Sequence, residues 1–114
     1  MPKRLIDTTA SELLRYSKSE LLTAIADSEG RILATETIGT VTPMLVNITN
    51  AEFVASLGAD LIMLNIFDVN NPTIQGLPKV APEDTIREVK RLTGRLVAIN
   101  LEPAVIKEVE EESV

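Results

Sequence analysis

The stretch Ala59-Asp-Leu-Ile-Met-Leu-Asn-Ile-Phe-Asp-Val-Asn-Asn-Pro72 decides how the rest of the chain is read. Leu61–Leu64 is apolar with no polar alternation, the pattern of a strand covered on both faces, as in a parallel sheet. The chain then turns polar, with Asn65, Asp68, Asn70 and Asn71 ahead of Pro72. A buried strand opening into an Asn-rich loop is how α/β proteins build a ligand-facing edge. The stretch thus predicts an architecture and the face on which function sits, without specifying a reaction.

Two flanking segments repeat its plan. Gly30-Arg-Ile-Leu-Ala-Thr-Glu36 and Gly94-Arg-Leu-Val-Ala-Ile-Asn100, like the central copy headed by Gly58, place a helix-stopping glycine before an apolar strand and a polar residue six or seven positions on. The glycines are 28 and 36 residues apart, a spacing that fits βα units. Strands are therefore expected near 31–36, 60–66 and 95–101. Crossovers between parallel strands are right-handed, so the strands should neighbour one another in the order 1-2-3. Between them, Thr49-Asn-Ala-Glu52 is a capping box opening a helix near 50–57 that carries Phe53, Val54 and Leu57. Pro82 suits the first turn of a second helix near 82–93, with Ile86, Val89 and Leu92 as its apolar stripe. The capping chemistry is reciprocal, because hydroxyl and carboxylate each satisfy an orphan backbone donor. Residues 68–81 form a loop of 14 residues, longer than the usual βα connection.

Ahead of the first strand, Thr9-Ala-Ser-Glu12 and Ser17-Lys-Ser-Glu20 are two further capping boxes. They make 1–30 a helical segment covering the sheet, ahead of a parallel βαβαβ unit over 31–103. The remaining residues, 104–114, read as an acidic tail, a frayed helix or a disordered segment.

Composition narrows the function classes. The chain has 114 residues, 45% of them hydrophobic, enough for one domain with one core. No apolar run approaches the roughly 20 residues of a membrane helix, and no signal peptide is apparent. There is no Cys, which removes disulfides and thiolate chemistry and accords with a cytoplasmic location. There is no His either, so any metal site must use oxygen ligands and favour Mg²⁺ or Mn²⁺. A net charge of −6 argues against nucleic acid as a partner.

The repeated plan brings Glu36, Asn65, Asn100 and Glu102 to one carboxyl-terminal edge as candidate catalytic residues. Asn100 and Glu102 share a face of the third strand with Leu96 and Ala98, since side chains alternate. In a closed barrel that face is the interior, where the small Ala34 and Ala98 also fit. Glu36, Asp68 and Glu102 then offer oxygen ligands to Mg²⁺, with Asn65 and Asn100 donating to an oxyanion or hydroxyl. Taken singly, each residue reads equally well as a polar strand end; the shared edge is what joins them. There is no Gly-rich phosphate loop, zinc-protease or serine-hydrolase motif. The Thr37-Ile-Gly-Thr-Val-Thr-Pro43 loop could hold a phosphate through its hydroxyls and backbone N–H groups, but reads first as a turn with local side-chain bonds.

The segments LIDTTASELL, SEGRILATETIGTVTP, LGAD, LNIFDVNNPTIQGLP, TIREVKRLTGR and INLEP resemble the opening third of an uncharacterised bacterial family. Its full-length members look like (β/α)₈ barrels and are described as phosphoenolpyruvate-phosphonomutase-like. The resemblance covers residues 4–103 and is most specific over Asn65–Pro78. It implies that Glu36, Asn65, Asp68, Asn70, Asn71, Asn100 and Glu102 lie on the catalytic face, with Asn70 and Asn71 on the substrate. A (β/α)₈ barrel takes about 250 residues, so the fold expected here is a partial barrel of three strands. Its open edges are expected to pair in a homo-oligomer or with the remainder of a longer protein. Two functions follow. One is Mg²⁺-assisted lyase, mutase or isomerase chemistry on a small oxyanionic metabolite once the barrel is complete. The other is a truncated, non-catalytic α/β module that self-associates or binds a small ligand.

Overall fold

A computed structural model describes residues 3–100. Glu102 and the tail over 104–114 lie outside the described residues. Three parallel strands form one sheet in the order β1-β2-β3, with β1 at Ala34–Ile38, β2 at Leu61–Asn65 and β3 at Leu96–Ile99. Helices α1 (Ala10–Arg15) and α2 (Lys18–Asp27) precede the sheet. Helix α3 (Asn50–Ser56) links β1 to β2, and α4 (Thr85–Thr93), entered through a 3₁₀ turn at Pro82–Asp84, links β2 to β3.

Each of the three capping boxes forms. The hydroxyls of Thr9, Ser17 and Thr49 accept from the backbone N–H of Glu12, Glu20 and Glu52, whose carboxylates accept from the cap N–H groups in return. These bonds hold the Glu12 and Glu20 carboxyls below the usual glutamate value, the Thr9 and Ser17 backbone N–H groups being the main cause and Lys3 assisting at Glu12. A carboxyl depressed in the folded state adds stability above its unfolded pKa, about 4.3, and loses it as pH falls through the folded value. Helicity over 10–27 should therefore decline on acidification below that value, earlier than α4 once Glu88 is changed to Gln there to remove its own acid-sensitive bond. Amide chemical shifts followed from pH 6 to pH 2.5, a range chosen to bracket about 4.3, would check it. Flat shifts at 10–27 would show that the boxes contribute nothing.

One sheet face is packed. Ile62 and Leu64 point into it and join Ala51, Ala55, Ala59 and Val89 in a single core cluster, with Val54, Ile86 and Val97 against it. The small side chains of α3 let its backbone approach β2 closely. Arg95 fastens the assembly from below: Nε donates to the Ala59 carbonyl at 2.7 Å and Nη2 to the Ala55 carbonyl at 3.3 Å. It thereby ties β3 to the last turn of α3 and to the residues that lead into β2, sharing the Ala55 carbonyl with the Gly58 N–H. The opposite face carries Ala34, Glu36 and Ile38, then Leu61, Met63 and Asn65, then Leu96 and Ala98, and none of these belongs to the buried core.

The amino-terminal helices make a smaller cluster at the amino ends of the strands. The Leu5 N–H donates to Ser28 Oγ at 3.0 Å, and that hydroxyl donates to the Ala24 carbonyl at 2.8 Å. Leu5, Thr8 and Leu13 line a cavity there together with Asp60, Gly94 and Arg95.

The frame of β1 differs from the sequence expectation. The strand runs over 34–38 rather than 31–36, and the cause is a clamp at its start. Leu33 N–H donates to Asp60 Oδ2 at 2.8 Å, while the Leu33 carbonyl accepts from the Asp60 and Leu61 N–H groups. Pairing with β2 begins only beyond that clamp, and it continues through the β-branched Thr37 and Ile38. β2 is shorter than expected by one residue at each end, and β3 starts one residue later than expected; residue 101, the expected end of β3, lies outside the described residues.

Candidate functional site

The shift of β1 changes where Glu36 stands. Ile38 is opposite Asn65, and Glu36 is opposite Met63, so Glu36 lies two residues short of the strand end and diagonal to Asn65 on the same face. Diagonal neighbours on a sheet face are within reach of long side chains. Asn65 Nδ2 accordingly donates to Glu36 Oε2 at 3.5 Å. Across the other ladder, the Asn100 N–H donates to the Leu64 carbonyl, extending the register by one residue. Asn100 Nδ2 then donates to Asn65 Oδ1 at 3.0 Å. Three polar side chains from three adjacent strands thus form a row across the open face.

The row has a direction. Asn65 Oδ1 accepts both from Asn100 Nδ2 and from the Ile66 backbone N–H at 3.0 Å. With its oxygen engaged twice, the amide turns its Nδ2 toward Glu36. The row therefore ends on the Glu36 side chain at its β1 end.

The Ile66 N–H reaches Asn65 because Ile66 takes a left-handed backbone, φ 54°. A β-branched residue pays for that conformation, and such strain gathers at functional positions. The Ile66 side chain is 65% exposed and gives little packing in return. Ile66→Asn should consequently raise stability by about 1 kcal/mol, as read from the midpoint of urea unfolding. A lower midpoint would mean that the isoleucine packs in solution.

A cleft of about 390 Å³ opens beside Glu36, lined also by Asn65, Asn50, Val41, Met44 and Phe53. Thr37 and Ile38 form its floor on β1, and α3 brings Phe53 and Val54. None of the lining side chains is Lys or Arg. Val41 and Met44 had no periodic signal to mark them, since loop folding alone carries them to α3, while the capping box placed Asn50 and Phe53 on a helix without marking them as part of a cleft. The one bond that reports this is the Met44 N–H to Asn50 Oδ1, at 2.9 Å.

The other expected residues stand elsewhere. Asp68 closes a local turn, its Oδ1 accepting from the Asn70 N–H at 2.9 Å and its carbonyl from the Asn71 N–H. Asn70 and Asn71 are exposed in that turn. Glu102 lies outside the described residues. Among the described residues, no group of three acidic side chains is placed to hold a metal ion.

Fold and site together define a parallel α/β protein with a polar row at the carboxyl end of its strands. The chain belongs to the DUF7916 family, a domain of unknown function, whose model matches residues 6–114. No curated protein and no solved structure matches it. Among the described residues, no helix is long and apolar enough to cross a membrane.

Proposed function

We propose that the chain is the amino-terminal part of a (β/α)₈ barrel resembling the phosphonomutase-like family. In its complete form this barrel acts enzymatically on a small oxyanionic metabolite in the cytoplasm. The observation that carries this reading is the Glu36–Asn65–Asn100 row, built from three adjacent parallel strands on the face that would become a barrel interior. In barrels, reacting groups come from the ends of several strands. Glu36 is the acid–base or metal-ligating group, Asn65 and Asn100 orient it and meet the substrate, and Asn70 and Asn71 contact the substrate from the loop.

Mg²⁺ suits the donor chemistry. It keeps several waters and needs only one or two carboxylates, so Glu36 with Glu102 would suffice, and Asp68 would join only by releasing its turn. Bound there, the ion would polarise an oxyanion that the cleft, lacking basic side chains, cannot hold by itself. Mg²⁺ should then raise the melting temperature, since only the folded state gathers the ligands; saturation at a hundred times Kd is worth about 2.7 kcal/mol. Glu36→Gln should abolish that increase and leave metal-free stability nearly unchanged, because the amide oxygen still accepts from Asn65 Nδ2. The same melting curve at every Mg²⁺ concentration up to millimolar would defeat the metal part of the proposal.

A second reading, a non-catalytic module that self-associates, draws on the open sheet face with Leu61, Met63, Leu96 and Ala98. Burying such apolar area stabilises by about 25 cal/mol per Å². Sedimentation at micromolar concentration separates the two readings, since a monodisperse monomer excludes the homo-oligomer.

A further inference from the structure

The loop after β2 is fastened to the loop after β1. Gly39 follows the last residue of β1, and its α-carbon faces a neighbour with no room for a side chain. A Cβ there would stand 2.9 Å from Ile74 Cγ1 and 2.9 Å from the Thr73 carbonyl oxygen. The Gly39 carbonyl accepts from the Gln75 N–H at 2.7 Å. A second close approach lies on the other side, where a Cβ on Gly76 would be 3.3 Å from Pro43 Cγ and 3.5 Å from the Ile48 carbonyl carbon. Ile74 and Leu77 of the same loop also pack on the core of Ile62 and Leu64.

A 14-residue connection after a strand (residues 68–81) is the kind of segment that serves elsewhere as a mobile lid. Here it is held by two backbone approaches and by core packing. We propose that segments 39–48 and 68–81 form one pre-organised wall, and that Gly39 is the positioning residue that sets it. Because Gly39 lets the two backbones touch, Val41 and Met44 are held against α3, where they shape the cleft beside Glu36. A site fixed by packing of its supporting residues needs no ordering when a ligand arrives. The inference concerns the wall and holds whichever ligand the cleft takes.

Amide exchange and methyl NMR on the full chain test it. In the wild type, the Gln75 amide should exchange at least about tenfold more slowly than an unstructured amide. A cross-relaxation peak should connect the Gly39 α-protons to the Ile74 side chain. Gly39→Ala should cut the Gln75 protection by about tenfold or more and shift the Met44 methyl resonance. The Ile62 and Leu64 amides should keep their protection, which separates displacement of the wall from loss of the fold. Adding Ile74→Ala should restore Gln75 protection in part, because the Cγ1 that the new methyl meets is gone. Free exchange of Gln75 in the wild type, or no Gly39–Ile74 peak, would overturn the proposal whatever the variants do. So would a Gly39→Ala protein whose Gln75 and Met44 signals do not move.

Discussion

Ile62→Ala should lower the unfolding free energy by about 3–5 kcal/mol, the upper part of the range for buried large-to-small changes. Ile62 is 0% exposed on the middle strand of the sheet, in one core cluster with Ala51, Ala55 and Ala59. Alanines have no side-chain length with which to fill a void, so the cavity must persist or the helix backbone must move. The expected loss is a large share of the roughly 5–15 kcal/mol that holds a domain folded. Urea unfolding reads it as a lower midpoint at unchanged slope, and a shift equivalent to less than about 1 kcal/mol would refute the core as described. Met63→Ala is the informative companion. Met63 sits next to Ile62 on the face that contributes nothing to the buried core, so its loss should be much the smaller. An equal loss that grows with protein concentration would show that another copy covers the open face.

Gly94→Ala should be the second most damaging change, at about 2–4 kcal/mol, combining backbone strain with overpacking. Gly94 closes α4 in a left-handed conformation, φ 63°, which an alanine adopts only at a cost. Its missing side chain also makes room for α1, because a Cβ there would lie 2.8 Å from Ala10 Cβ. Gly30→Ala separates the two contributions. Gly30 has φ +78° with nothing within 4 Å of its Cβ position, so it isolates the strain, about 1–2 kcal/mol. If the two substitutions cost the same by urea unfolding, α1 does not rest on the α4–β3 turn in solution. Ala10→Gly should partly rescue Gly94→Ala, since it removes the opposing methyl.

Much of the fold was legible because its determinants are local. Thr9, Ser17 and Thr49 each stand three residues before a glutamate, and a capping box needs only those two side chains and one turn of backbone. Gly94 ends α4 by its own backbone freedom. The unbroken apolar run Leu61–Leu64 marks a strand, although only Ile62 and Leu64 are buried and the expected cover on the second face, over Leu61 and Met63, is missing among the described residues; the parallel order 1-2-3 follows from two helix-containing connections and the handedness of crossovers. The common face of Glu36, Asn65 and Asn100 follows from strand alternation once the register is known. The register itself was not legible: Arg31–Leu33 is as apolar and extended as many strands, and only the distant Asp60 carboxylate stops the ladder there.

What the sequence by itself determined, then, was the set of elements with their caps and stops, which rest on contacts within a few residues, and the parallel topology, which rests on the handedness of helix-containing crossovers. Tertiary structure alone decided the frame of β1, the diagonal placing of Glu36 against Asn65, the orientation of the Asn65 amide and the cleft that Val41, Met44 and Phe53 complete. It also decided that the long loop after β2 lies against Gly39. These features depend largely on bonds and steric limits between residues 27 to 35 positions apart, such as Leu33 with Asp60, Glu36 with Asn65, Gly39 with Ile74 and Asn65 with Asn100. Composition, periodicity and spacing report which residues are near one another along the chain, whereas closing such loops is settled by the free energy of the whole packed arrangement.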